Sequence, residues 1–154
     1  MRDLNAGDQR KKRARIQLPE NPGHLSPENL ARLESQVKDN IKDGYLSCPI
    51  AWGLAAKLNV PRIAVGALAD KFGTRITECQ LGCFKVDKTP FDNSPAGNFS
   101  AGLIQQLKEL GETGQLTCAR ANELARQNNL DPLVLAGQIN VMRLKIRECQ
   151  LGCF

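Results

Sequence analysis

The chain lacks the segments that would place it in or across a membrane. No apolar run approaches the roughly 18 residues of a membrane helix. Residues 1–20 are polar and charged, without the apolar core of a secretion signal. We therefore expect a cytoplasmic protein with no membrane partner. In that reducing compartment, the six cysteines should remain free thiols rather than form structural disulfides.

Catalytic signatures are also missing. The chain has no GxxxxGK[ST] phosphate loop, no GxGxxG and no HExxH. The single histidine, His24, lies in a Pro/Gly-rich segment outside both of the repeats described below, so a cysteine nucleophile would have no local imidazole as its base. These absences predict a protein that is not an enzyme, and the sequence indicates no organic cofactor.

What the chain does contain is a repeat. The heptapeptide ECQLGCF occurs at residues 78–84 and again at 148–154, and all six cysteines pair at the same offset. Near Pro61 the register is predicted to slip by one residue, because Pro132 is its better partner, and to recover before Ile76. We infer a tandem duplication with a basic N-terminal arm at 1–25, modules at 26–84 and 96–154, and a linker at 85–95.

Each module predicts three helices. Ser26 followed by proline and glutamate is a helix start, and Gly44 is expected to end that helix. Ser47 and Thr117 are candidate N-caps of the second helices. Asn59 and Asn129, the next turn residues, tolerate the left-handed backbone that a tight turn requires. The third helices then begin at the two prolines.

Two stretches carry a resemblance to a known family. LAAKLNVPRIAVGALAD and LARQNNLDPLVLAGQIN resemble the helix-turn-helix of bacterial transcription regulators, with a small residue, a turn residue four positions later and apolar positions after it. The resemblance covers about 20 residues in each copy. It implies a mainly α protein that is a tandem repeat of a three-helix helix-turn-helix unit and binds double-stranded DNA.

A strand is expected after each third helix. In NVMRLKIREC, Met142, Leu144 and Ile146 alternate with Arg143, Lys145 and Arg147, which predicts a strand with one apolar and one cationic face. Such a strand resembles the wing of winged-helix proteins, whose basic face can meet phosphates. An ordinary half-buried strand with its cations in solvent explains the pattern equally well.

Positive charge is concentrated in the arm. The net charge is +5, and RKKRAR places five cations between residues 10 and 15. Because the modules are nearly neutral, phosphate contacts would come mainly from this arm and the basic strand. The candidate DNA-binding residues are Arg10, Lys11, Lys12, Arg13 and Arg15 in the arm, Arg62, Lys71 and Arg75 in the first module, and Gln138, Asn140, Arg143, Lys145 and Arg147 in the second.

The first module is the weaker candidate for reading bases. Its third helix has a mostly apolar middle, so it could instead pack against the second module or against the second chain of a homodimer. We predict a DNA-binding transcriptional regulator with two helix-turn-helix modules. The alternative is a metal- or thiol-responsive protein-interaction module on the same scaffold.

The cysteines keep three roles open. Short CxxC pairs are absent, and a four-thiolate zinc site would need ligands from both copies. Core packing or an interface is the favoured role, since reduced cysteine is readily buried. A metal ion and thiol redox sensing remain alternatives, with these candidates: Cys48, Cys79, Cys83, Cys118, Cys149 and Cys153.

Overall fold

The computed structural model describes residues 18–84 and 98–154. Within these ranges the chain is mainly helical, as the sequence predicts, with six helices and two short parallel strands. It divides into two compact units, one formed by the chain up to Thr77 with Gln150–Phe154 and the other by Glu78–Cys149. The units therefore cut across the repeats, because each contains the ECQLGCF segment, or most of it, from the other copy.

The first unit contains three helices and both strands. Helix α1 (Pro27–Asn40) is followed by strand β1 (Tyr45–Ser47) and helix α2 (Cys48–Leu58). Helix α3 (Arg62–Lys71) and strand β2 (Arg75–Thr77) complete it. No helix in the described ranges is long and apolar enough to cross a membrane.

Local signals define the helix ends of the first unit. Ser26 Oγ accepts the N–H of Asn29 at 3.3 Å and Ser47 Oγ accepts that of Ile50 at 3.4 Å, which confirms both predicted N-caps. Helix α1 ends at Asn40, four residues before Gly44, which instead lies with φ 79° in the turn that leads into β1. Asn59 has φ 51° and turns the chain between α2 and α3.

Strands β1 and β2 pair in parallel, with Leu46 opposite Ile76. Both side chains are buried, at 0% and 5% exposure, so the pair joins the start of α2 to the segment that follows α3. A strand after the third helix is thus confirmed in the first copy. Its partner precedes the second helix, so the described residues form no antiparallel wing there.

The second unit has helices α4 (Ala101–Glu112), α5 (Cys118–Gln127) and α6 (Pro132–Val141). Thr117 caps α5 as predicted, through the N–H of Arg120 at 3.2 Å. The strand predicted over residues 142–147 is absent, and only an isolated bridge joins Thr117 to Arg147. Met142 still caps α6 and Arg143 adopts φ 57°, so the alternating residues begin inside a turn rather than in extended backbone.

The structural register between the copies is constant, and the predicted slip near Pro61 is wrong. The N–H of Val60 donates to Ala55 O and that of Leu130 to Ala125 O, both at 2.9 Å, which are matched bonds 70 residues apart. Pro61 is the N-cap of α3, whereas Pro132 is the first residue of α6. Left-handed residues recur at the same offset: Gly44/Gly114, Asn59/Asn129, Gly73/Arg143, Glu78/Glu148 and Gly82/Gly152.

Each unit has its own apolar core, and each core includes the leucine of the exchanged heptapeptide. Leu151 is 1% exposed in the first unit and Leu81 is 2% exposed in the second. Full burial of a leucine contributes about 2 kcal/mol. Each copy of the heptapeptide therefore supplies a core side chain to the unit that contains the helices of the other copy.

Candidate nucleic-acid interface and cysteine pair

The third helix of the first unit is an internal element. Every residue of α3 from Ala64 to Ala69 is buried. The C-terminal segment lies across this helix at Gly66, where an added Cβ would be 2.7 Å from the carbonyl carbon of Leu151 and 3.1 Å from its Cα. A backbone cannot approach a side-chain-bearing helix position this closely, so glycine is required there.

Two cations predicted to contact DNA in the first unit have protein partners. The Arg62 guanidinium lies 3.5 Å from the centre of the Trp52 ring, and its Nη1 donates to Gln150 Oε1 at 2.5 Å. Lys71 Nζ lies 2.6 Å from Glu34 Oε1. Their hydrogen bond lowers the pKa of Glu34 and raises that of Lys71. These side chains would have to leave their partners to contact a phosphate.

Arg75 occupies the first position of β2 and is half-buried, with its Cα opposite that of Tyr45. Its backbone N–H donates to Gly44 O at 3.0 Å, which fixes the start of the strand. In the first unit, the three predicted contact residues therefore do not lie together on one open helix face.

The second unit presents its third helix differently. Leu135, Ala136 and Ile139 are buried along one side of α6. Asn140 is exposed, Val141 is 59% exposed and Gln138 is half-buried. A Cβ added at Gly137 would meet no atom within 4 Å. This helix has one side in the core and another open to solvent, as a helix that enters a DNA groove requires.

Three exposed cations follow α6. Arg143, Lys145 and Arg147 are exposed and alternate with half-buried apolar residues, so the predicted two-faced pattern holds although no strand forms. Arg143 has φ 57° where the first copy has Gly73. A non-glycine residue in this region costs roughly 1–2 kcal/mol, which is partly offset by the favourable position of a cation at a helix C-terminus.

The arm residues Arg10, Lys11, Lys12, Arg13 and Arg15 lie outside the described residues. The candidate interface on described residues is therefore the outer side of α6 and the segment 143–147, which we call the second-unit basic face. Its side chains come from a single stretch of chain, and that is why sequence periodicity could identify them.

Cys79 and Cys83 form a close pair within the second unit. A tight turn, with the N–H of Gly82 donating to Cys79 O at 2.8 Å and Gly82 at φ 63°, folds the heptapeptide back on itself. Within this turn, Cys83 Sγ donates to Leu81 O at 3.8 Å. Cys79 is 6% exposed, whereas Cys83 is exposed.

The surroundings of the two thiols shift their pKa values in opposite directions. The hydrogen bond from Cys83, reinforced by the backbone N–H groups, lowers the pKa of Cys79 to about 6, although burial opposes the shift. The same hydrogen bond raises the pKa of Cys83, followed by desolvation and by the nearby charges of Cys79, Cys118 and Cys149.

The other four cysteines are buried or half-buried. Cys48 and Cys118, the first residues of α2 and α5, are both buried at 6% exposure, and Cys149 and Cys153 are half-buried. Cys149 belongs to the second unit and Cys153 to the first. Across residues 18–84 and 98–154, no group of three or more His, Cys, Asp or Glu side chains is arranged to hold a metal ion.

No sequence pattern predicted that the C-terminal segment contacts α3 in the first unit. Gln150 and Leu151 lie about 90 residues from the α3 positions that they contact, and no local pattern links them. The one available signal was Gly66 in the middle of a helical stretch, since an interior helix glycine often marks a close backbone approach. No protein-family model, curated protein or solved structure matches the chain.

Proposed function

We propose that the protein is a DNA-binding transcriptional regulator of the cytoplasm that contacts duplex DNA mainly through its second helix-turn-helix module. The observation that carries this proposal is the contrast between the units. Arg143, Lys145 and Arg147 are exposed beside an open third helix, whereas α3 is buried and two of its cations are paired. The first module then serves mainly as a packing element.

The arrangement of the second unit supports this role. Helices α5 and α6 are joined by a short turn at Asn129, which has φ 52°, and the open side of α6 would enter the major groove. Arg143, Lys145 and Arg147 would then contact phosphates beside the groove.

The polar residues of α6 are unevenly distributed along the helix. Its first turn is apolar, with Pro132, Leu133 and Val134, while Gln138 and Asn140 lie in its second half. Base edges are read by polar side chains, and the N-terminal part of a recognition helix normally supplies them. We therefore expect most of the affinity to come from phosphate contacts and only a short stretch of sequence to be specified. A homodimer would present two such modules to spaced half-sites.

The experiment is a salt titration of binding to duplexes selected from a random pool, with full-length reduced protein. Each phosphate contact adds about 0.9 to the slope of log K against log salt. Replacing Arg143, Lys145 and Arg147 by alanine should therefore reduce the slope by up to about 2.7. A charge-matched control replaces three exposed cations of the first unit, Arg32, Lys42 and Lys57.

We expect the control to keep the wild-type slope, because its three cations belong to the first unit, to which we assign a packing role. Equal losses in the two triple variants would show a non-specific charge effect and contradict the assignment to this face. Absence of any binding at low salt, while a known DNA-binding protein binds the same pool, would refute the DNA-binding function itself.

A further inference from the structure

The side-chain amide of Asn140 has no protein partner on the open side of α6. Three other asparagines in or at the end of a helix donate from this amide to the carbonyl oxygen four residues earlier: Asn40 at 2.8 Å, Asn122 at 2.9 Å and Asn128 at 2.9 Å. Asn140 is helical and exposed, but its amide makes no hydrogen bond with any residue of 18–84 or 98–154. Its donor and its acceptor are therefore both free for a ligand.

Asn140 and Val141 lie on either side of Gly137 around the helix. Successive residues of an α-helix are about 100° apart, so Asn140 lies about 60° to one side of Gly137 and Val141 about 40° to the other. Val141 is 59% exposed, and a Cβ added at Gly137 would meet no atom within 4 Å. A partner can thus approach the helix backbone closely between the two side chains. Gln138 lies about 160° from Asn140 and belongs to the other side.

The charge beside these residues indicates the kind of partner. Arg143, Lys145 and Arg147 are exposed in the segment that follows Val141, so a partner that covers Val141 also faces three cations. A second copy docked through the same face would bring its own three cations against them. Duplex DNA offers phosphates to the cations and, in the major groove, the 5-methyl group of thymine to an apolar side chain. Charge complementarity therefore favours DNA as the occupant of this face.

We propose that Asn140 and Val141 make the second module select A·T base pairs. This selection rests on the DNA-binding function proposed above, and it assigns the bases that α6 reads. The Asn140 amide nitrogen donates to adenine N7 and its carbonyl oxygen accepts from the adenine N6 amino group, whereas guanine presents two acceptors at these positions. Val141 contacts the 5-methyl group of a thymine in a neighbouring base pair, a group that cytosine lacks.

The test changes single groups of the DNA and single side chains of the full-length reduced protein. In the duplex enriched from the random pool, each thymine in turn is replaced by deoxyuridine, which lacks the 5-methyl group, and each adenine by 7-deazaadenine, which lacks the N7 acceptor. Fluorescence anisotropy then gives Kd at one fixed salt concentration. We expect one deoxyuridine to weaken wild-type binding about fourfold, through the loss of one buried methyl. One 7-deazaadenine should weaken it about fivefold, through the loss of one hydrogen bond.

Two variants assign these penalties to side chains. Val141→Ala should reduce the deoxyuridine penalty and Asn140→Ala should abolish the 7-deazaadenine penalty, because each variant already lacks the group that contacts the altered base. The matched controls are Ile50→Ala and Asn29→Ala, which replace an exposed apolar residue and an exposed asparagine of the first unit. Both controls should keep the two wild-type penalties.

An unchanged penalty in either variant would overturn the proposal. Equal binding of all sequences would also overturn it, and a salt slope that still falls in the Arg143, Lys145 and Arg147 triple variant would then show that DNA binding itself stands. If Val141→Ala dissociates a dimer in sedimentation while the base penalties are unchanged, Val141 belongs to an interface between two copies and the proposal is wrong. Absence of binding to any duplex at low salt would refute the DNA-binding function and this selection together.

Discussion

Replacing Gly66 by alanine tests whether the C-terminal segment packs on α3. The added methyl would lie 2.7 Å from the Leu151 carbonyl carbon, and a backbone atom cannot rotate away as a side chain can. Overpacking of a tight site costs about 1–3 kcal/mol. Against this, alanine gains about 1 kcal/mol over glycine in a helix interior.

Detachment of the segment sets an upper limit on the loss. If Gln150–Phe154 left α3 to relieve the clash, the first unit would lose the burial of Leu151, worth about 2 kcal/mol, and the Arg62–Gln150 hydrogen bond, worth about 1.5 kcal/mol. The cost of Gly66→Ala cannot exceed the cost of this detachment. We therefore expect a net loss of up to about 2 kcal/mol in the free energy of unfolding, which is within this limit.

Gly53→Ala is the matched control. Gly53 lies in α2, is exposed, and a Cβ added there would meet no atom within 4 Å. This variant should be stabilised by up to about 1 kcal/mol through helix propensity alone. Urea unfolding followed by tryptophan fluorescence is the appropriate assay, because the single tryptophan, Trp52, reports on the first unit.

The two alanine variants should change the free energy of unfolding with opposite signs. A Gly66→Ala midpoint equal to or above that of Gly53→Ala would refute the close packing of Leu151 on α3. In a chain that ends at Cys149, the clash is removed, so Gly66→Ala should no longer destabilise relative to its own parent. Persistence of the full penalty in the shortened chain would place the cause elsewhere on α3.

Two further predictions concern charged groups. Arg62→Ala should lower the free energy of unfolding of the first unit by about 2 kcal/mol, because it removes both the cation–π contact with Trp52 and the hydrogen bond to Gln150. Lys71→Ala removes a solvent-exposed ion pair and should leave that free energy unchanged in urea unfolding followed by circular dichroism. In an ultraviolet titration of thiolate absorbance, one thiolate should form near pH 6 and be lost below it, because the pKa of Cys79 is lowered from 9.0 to about 6. Cys83→Ala removes the main hydrogen-bond donor and should move this step to higher pH; an unchanged step would exclude that hydrogen bond as the cause.

Local sequence signals predicted the parts of the fold that depend on nearby residues. The N-caps at Ser26, Ser47 and Thr117 each bind a backbone N–H three positions later, so a short stretch contains all the required information. The left-handed turns at Asn59 and Asn129 are similarly local. The exposure alternation over 142–147 was also correct, since it follows from side-chain chemistry even where no strand forms.

Features set by distant residues could not be predicted in the same way. The pairing of β1 with β2 in parallel depends on where α2 and α3 bring the chain back, and a three-residue strand has too few side chains to specify its partner. The position of Leu151 on α3 depends on the absence of one side chain, at Gly66. The second copy has Ala136 at the matched position, so the same backbone approach is closed there. The predicted slip at Pro61 failed because proline is accepted both at an N-cap and at the first helical position.

The two heptapeptides separate what a repeated sequence determines from what its surroundings determine. Leu81 and Leu151 are both fully buried, since any apolar core of adequate shape accepts a leucine. The cysteines of the same segments differ, because Cys79 is buried against Cys83 while Cys149 is half-buried. A thiol's acidity depends on the donors and charges within a few ångströms, and these are set by the fold around each copy as well as by the repeated sequence. Identity of sequence therefore supports a shared packing role for the heptapeptides, while any thiol chemistry has to be established for each pair separately.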